Sequence, residues 1–151
     1  MKTILSTAAA LLALSGTAAF AEGDVAAGEK DFNKCKACHA IVSPDDEVIV
    51  KGGKTGPNLW GVVGRTAGTE ESFKRYSDEM QQLGAEGFVW TVEEIAAYTP
   101  NASDFLEEKL GLDKVRTAMT PQRLKDPTDV AAFLAQYGPE DDEDGEDDAE
   151  E

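Results

Sequence analysis

The sequence predicts an all-α domain of about five short helices joined by long loops, and three observations predict it. Apolar residues recur at helical spacing in several short windows, and no stretch shows the apolar and polar alternation that marks strands. Caps, prolines and glycines punctuate those windows as they do helices. Finally, Cys35-Lys36-Ala37-Cys38-His39 spells C-x-x-C-H, the pattern for covalent attachment of a c-type haem, which gives long loops something to wrap.

The elements follow in chain order. Residues 1–21 combine Lys2, an apolar run from Ile4 to Leu14 and the small-residue pattern Ala19-Phe20-Ala21, and read as a secretory signal peptide cleaved near Ala21. The apolar run is too short for a membrane span, an uncleaved anchor being the lesser alternative, and export fits the C-x-x-C-H motif, so the mature chain is expected in the periplasm. Asp24 caps a helix through about Lys34, with Val25, Gly28 and Phe32 near one face, and its end delivers Cys35. Residues 43–58, rich in Gly, Pro, Asp and Lys, form a long irregular loop. After a short Asn58–Val63 segment and a turn region at Gly64–Gly68, Tyr76, Met80 and Leu83 recur at helical spacing. Thr91 and Glu94 make a capping box for a helix to about Tyr98, which Pro100 stops. A short helix spans Asp104 to Leu110. The last begins at the Asp126 cap with Pro127 in first position, carries Val130, Phe133, Leu134 and Tyr137 on one face, and ends at Gly138-Pro139.

Residues 22–139 therefore make one domain, and 140–151 is a tail with ten acidic residues in twelve positions, expected to be disordered. The whole chain has net charge −16, and the domain without its tail is still near −7. Such a balance argues against nucleic acid and anionic membranes as partners. Lys34, Lys36, Lys51, Lys54, Arg123 and Lys125 can gather into a basic patch on this acidic body, or can be scattered solvated charge.

Two thiols on one turn can add to the two vinyl groups of a haem while the adjacent imidazole meets the iron. A thioredoxin-like pair would follow a strand, and none is expected before Cys35. A zinc site needs about four ligands, and Cys35, Cys38 and His39, the only histidine, exhaust the nitrogen and sulfur donors apart from methionine. The second iron ligand separates carriers from catalysts. A second histidine is excluded, and after the initiator two methionines remain. Met80 lies on a predicted helix stripe, the setting of a packed core thioether. Met119 lies in Arg116-Thr117-Ala118-Met119-Thr120-Pro121, an irregular stretch that can hold its sulfur against the iron, and is the favoured ligand. A thioether favours ferrous iron and raises the reduction potential.

From about Gly23 to Tyr137 the chain resembles class I cytochromes c, and within them the bacterial cytochrome c2 group of soluble electron carriers. The resemblance rests on Gly28-x-x-x-Phe32 before the C-x-x-C-H, then Lys54-Thr55-Gly56-Pro57-Asn58-Leu59, Gly61-Val62-Val63-Gly64-Arg65, Trp90, Thr117-x-Met119 and the closing helix with Phe133. It implies a class I cytochrome c fold around one haem c bound through Cys35 and Cys38, with His39 and Met119 as axial ligands. It implies that the Pro57 carbonyl accepts from the His39 ring, fixing its tautomer. Arg65, Tyr76 and Trp90 match positions that hydrogen-bond or shield a haem propionate, with Trp90 filling core as well. Thr117 matches a residue that steadies the methionine loop. Gly28 and Phe32 match the contact of the first helix with the last, near Phe133. Pro121 stands where mitochondrial relatives carry an aromatic residue.

The function implied is one-electron carriage between redox proteins such as a membrane cytochrome complex, an oxidase, a reductase or a reaction centre, by a monomer with no small-molecule substrate. The alternative is a small c-type haem enzyme or gas sensor, peroxidase-like, with a labile sixth ligand, against which stands the lack of any distal histidine. A weaker alternative is a haem-free dithiol oxidoreductase using Cys35 and Cys38.

Overall fold

The computed structural model describes residues 23–138; the signal segment at 1–21 and the acidic run at 140–151 lie outside the described residues. Five α-helices are present among them: α1 (Val25–Asp31), α2 (Asp78–Ala85), α3 (Val92–Tyr98), α4 (Ala102–Leu110) and α5 (Pro127–Ala135). Each starts at a side chain that accepts a backbone N–H of the first turn. Asp24 takes that of Ala27, Ser77 that of Met80, Thr91 that of Glu94, Asn101 that of Asp104 and Asp126 that of Thr128. Such a cap is worth about 1 kcal/mol, which matters in helices of seven to nine residues.

The boundaries depart from the sequence expectation where local chemistry intervenes. The first helix is α-helical only to Asp31, and Phe32–Lys34 tighten into a 3-10 turn that swings the chain toward Cys35. Tyr76 precedes α2 rather than lying on it, because Ser77 takes the cap. Asn101 caps α4, which therefore starts at Ala102, two positions before Asp104. Thr91 makes its half of the capping box, while the Glu94 carboxylate turns away to pair with Lys109 at 2.7 Å.

One element was not expected. Part of the supposed irregular loop is a hairpin of β1 (Ile41–Val42) and β2 (Val48–Val50), paired antiparallel with Ile41 opposite Val50 and Val42 opposite Val48. Its strands are β-branched but too short for a visible alternation, and Asp46, at φ 62°, turns the tip. The class stays all-α, with this small sheet and long loops.

The core lies where α1 crosses α5. Phe32, fully buried, meets Phe133 with ring centroids 5.5 Å apart. The crossing is close because Gly28 lies on the α5 backbone at Asp129, and a Cβ there would also come within 2.9 Å of Phe133 Cβ. A second cluster surrounds Trp90, with Phe88 at 5.1 Å, Tyr98 at 5.0 Å and Phe105 at 5.9 Å between centroids. Lys109 Nζ lies over the Phe88 and Phe105 rings and is held there by Glu94. An isolated bridge between Thr66 and Val89 joins the turn at Gly64–Gly68 to the segment before α3, and Trp90 N–H donates to the Arg65 carbonyl at 3.0 Å. Arg65 and Trp90 thereby become neighbours.

Candidate haem site

The C-x-x-C-H segment is a compact turn fixed from within and from outside. Cys38 and His39 N–H groups donate to the Cys35 carbonyl at 3.0 and 2.9 Å, which sets the two thiols on one turn. The stretch after β2 closes over the turn, with Gly53 N–H donating to Lys36 O at 2.8 Å and Gly56 N–H to Cys38 O at 2.9 Å. Gly56 lies so near the His39 imidazole that a Cβ there would be 2.8 Å from Nδ1 and from Nε2. Gly52 and Gly53 press equally on the His39 and Ala37 carbonyls. In the sequence Gly56 reads only as part of a motif, and the signal for the Gly52-Gly53 pair is two glycines one residue after the β-branched run Val48–Val50.

His39 Nδ1 lies 2.8 Å from the Pro57 carbonyl. A carbonyl oxygen can only accept, so Nδ1 carries the proton and Nε2 keeps its lone pair. Burial holds the His39 pKa below the ordinary 6.5 against the opposing effect of that bond, so the ring is neutral at neutral pH, the state that binds a metal.

These groups share one cavity of about 520 Å³. Cys35, Cys38, His39, Pro57, Thr117 and Met119 all lie on its wall. Arg65, Tyr76 and Trp90 line it too, so it brings together every site residue expected from the sequence. Met80 also lines it, although it is a packed residue of α2 as expected. The remaining wall is largely apolar, with Phe32, Leu59, Val62, Ile95, Val130 and Leu134.

Arg65 donates from Nη1 to Trp60 O at 3.1 Å and from Nη2 to Asn58 O at 3.0 Å, holding the chain that follows Pro57. The Tyr76 hydroxyl accepts from Glu70 N–H at 3.3 Å and keeps its own hydrogen to donate. Tyr98, which the sequence reading placed only at a helix end, is a further polar group on the wall. A half-buried guanidinium, two phenols and an indole lining one largely apolar space suit a large apolar group that carries anionic substituents. The donor set therefore fits a haem: the two thiols would take its vinyl groups, and the arginine and phenols would pair with its carboxylates.

Burial pushes the Tyr98 pKa up to about 12 and raises that of Tyr76. Because the folded state holds the Tyr98 proton more tightly than the unfolded chain does, its contribution to stability is full below pH ~10 and is lost as pH climbs toward about 12. In a tyrosinate absorbance titration, the difference between wild type and Tyr98→Phe should show a group ionising near pH 12; ionisation near 10 would contradict the burial argument.

Burial, with Asp31 adding to it, also pushes the Cys35 thiol up to about 11. A dithiol catalyst needs the reverse, a depressed thiol pKa. Among the described residues no group of three His, Cys, Asp or Glu side chains is placed to hold a metal ion, which leaves the zinc alternative without support.

An all-α fold closed around one apolar cavity, with paired thiols and a tautomer-fixed imidazole on its wall, defines a class I c-type haem protein. No family model matches the chain. Among curated proteins it is 53% identical over 135 residues to cytochrome c2 of Rhodobacter capsulatus, across 89% of this chain and 97% of that one. It is 44% identical to cytochrome c-550 of Paracoccus versutus, across 93% and 92%. Among solved structures, R. capsulatus cytochrome c2 superposes with TM-score 0.72 at 57% identity, covering 75% of this chain and 97% of that one. Ferric cytochrome c-550 from P. versutus gives 0.72 at 47%, covering 77% and 98%. The chain belongs to the cytochrome c2 family: it carries one covalently attached haem c and is an electron carrier, not an enzyme.

Proposed function

We propose that this carrier works with His39 and Met119 as the two axial ligands of its haem iron, Cys35 and Cys38 as thioether anchors, and Pro57, Arg65, Tyr76, Trp90 and Thr117 as the groups that hold ligands and propionates in place. The observation that carries the reading is the 2.8 Å contact of His39 Nδ1 with the Pro57 carbonyl, which leaves Nε2 as the donor, in a cavity whose wall also includes Met119. The haem supplies a metal that gains or loses one electron with no bond made or broken. The protein residues keep that exchange simple. Two protein ligands leave no position for substrate, the apolar wall excludes water, and Thr117 Oγ1, donating to the Met119 carbonyl at 2.9 Å, fixes the methionine segment. Arg65, Tyr76 and Trp90 give a buried carboxylate its compensating donors.

Cytochromes c2 are in general soluble periplasmic carriers between redox partners. We assign this chain the same compartment, reached through the 1–21 segment, and a monomeric working state. Its domain is read as 22–139, followed by the acidic tail. Its partners are membrane or soluble redox proteins: a cytochrome complex, an oxidase, a reductase or a reaction centre. Docking falls to the basic residues near the cavity mouth. Lys34 lines the cavity, pairs with Asp31 at 2.7 Å and donates to the Arg123 carbonyl at 3.1 Å, and Lys125 lies close enough to lower the Asp31 pKa. Arg75, outside the expected set, also lines the cavity and donates to the Lys54 carbonyl at 3.2 Å.

The pure ferric protein should show the far-red absorption band of thioether-to-iron coordination, and the ferrous protein should refuse carbon monoxide. A missing band together with ready carbon monoxide binding would remove the closed-site reading. Electron-transfer rates with an acidic partner should fall as salt rises, because a Debye length of about 10 Å at 0.1 M screens the patch. A rate indifferent to ionic strength would leave the patch without a role.

A further inference from the structure

We propose that Glu107 of α4 is a positioning residue that fixes the loop bearing Met119 and so sets how readily the sixth position of the iron exchanges ligands. The inference rests on Met119 as that ligand. From Gly111 to Asp126 the chain forms no helix or strand, so its buried backbone groups need partners elsewhere. The loop leaves α4 through Gly111 at φ 64°, with Leu112 N–H returning to the Glu107 carbonyl at 3.0 Å. The same residue then reaches forward, and Glu107 Oε1 accepts the N–H of Val115 at 2.8 Å, where the Val115 side chain is buried.

Two further ties follow. Thr117 has one hydroxyl hydrogen and gives it to the Met119 carbonyl, so across its 3.5 Å contact with Ser103 Oγ it is Ser103 that donates. Beyond the methionine, Gln122 N–H donates to the Thr99 carbonyl at 3.3 Å. The loop is thus held against α4 at Val115 and Thr117, before Met119, and against the end of α3 at Gln122, after it. Among these ties the Glu107 bond is the shortest and the only one with a carboxylate acceptor, the stronger kind of hydrogen bond. It also sets the path of the chain four residues before the ligand.

The test uses the haem-bearing protein and reads the affinity of the ferric iron for imidazole together with the far-red band. Glu107→Ala should raise imidazole affinity about ten- to hundredfold and weaken the band, the range expected for losing a hydrogen bond to a charged group. Glu107→Asp, one methylene short, should move the same way and serves if the alanine variant yields no holoprotein. Glu107→Gln, whose amide oxygen can still accept from Val115 but without the charge, should fall between wild type and Glu107→Ala. A residue that only stabilised the fold would lower the unfolding temperature and leave imidazole affinity unchanged, and that result in Glu107→Ala or Glu107→Asp overturns the proposal. Met119→Ala separates the two levels. If it fails to open the iron, the ligand reading is wrong; if it opens the iron while the Glu107 variants do not, the clamp alone is wrong.

Discussion

Met119→Ala will open the iron to carbon monoxide and imidazole, abolish the far-red ferric band and lower the reduction potential, because it removes the soft donor that favours ferrous iron. Met80 is the control that gives this result meaning. It lines the same cavity and is 8% exposed, so a thioether at the cavity wall is not by itself distinctive. Met80 is nevertheless fixed by α2, whose cap at Ser77 accepts its own N–H, and its side chain is part of the packed core. Met80→Ala should cost about 2–5 kcal/mol of stability as a core truncation while leaving the band and the potential in place. Opposite outcomes for the two variants would transfer the ligand role to Met80.

The second large effect is expected at Gly56. A methyl group there would have to share space with the His39 ring, 2.8 Å from both nitrogens. Neither side can yield, since Gly56 N–H is bonded to Cys38 O and the ring to Pro57 O. Gly56→Ala should therefore sharply reduce the amount of protein carrying covalent haem, measured as haem absorbance retained by the denatured chain against total polypeptide. Wild-type yield with an unshifted spectrum would show that the ring has room, and would contradict the cradle described above.

Legibility from sequence followed the range of the interaction involved. Helix caps are local, and Asp24, Thr91 and Asp126 announced their helices at the correct residue. The C-x-x-C-H and the Met119 stretch were legible because each puts its chemistry into a few adjacent positions. The β1–β2 hairpin was missed because strands of two and three residues cannot display a period. Asn101 was passed over as the α4 cap because Asp104, a strong capping residue itself, stands three positions later. The wall position of Tyr98 was illegible for another reason. Its place depends on α3 packing against α5 and on ring contacts with Trp90 and Phe105, which lie within eight positions but outside α3, so only the finished fold brings the three rings together.

The closure of α1 on α5 sets the order of events in making this protein. Asp24 N–H donates to Asp129 Oδ1 at 2.7 Å across 105 positions, and Gly28 requires the α5 backbone to lie against it. Contacts of such sequence separation slow folding, since the entropy of closing the long loop is lost before the contact returns anything. The crossing cannot form until α5, near the end of the described residues, has been made. In the finished fold Cys35 packs against the core, so its thiol is most open to chemistry while the two ends are still apart. Haem attachment and folding are then competitors in time, and a slowly closing topology favours attachment.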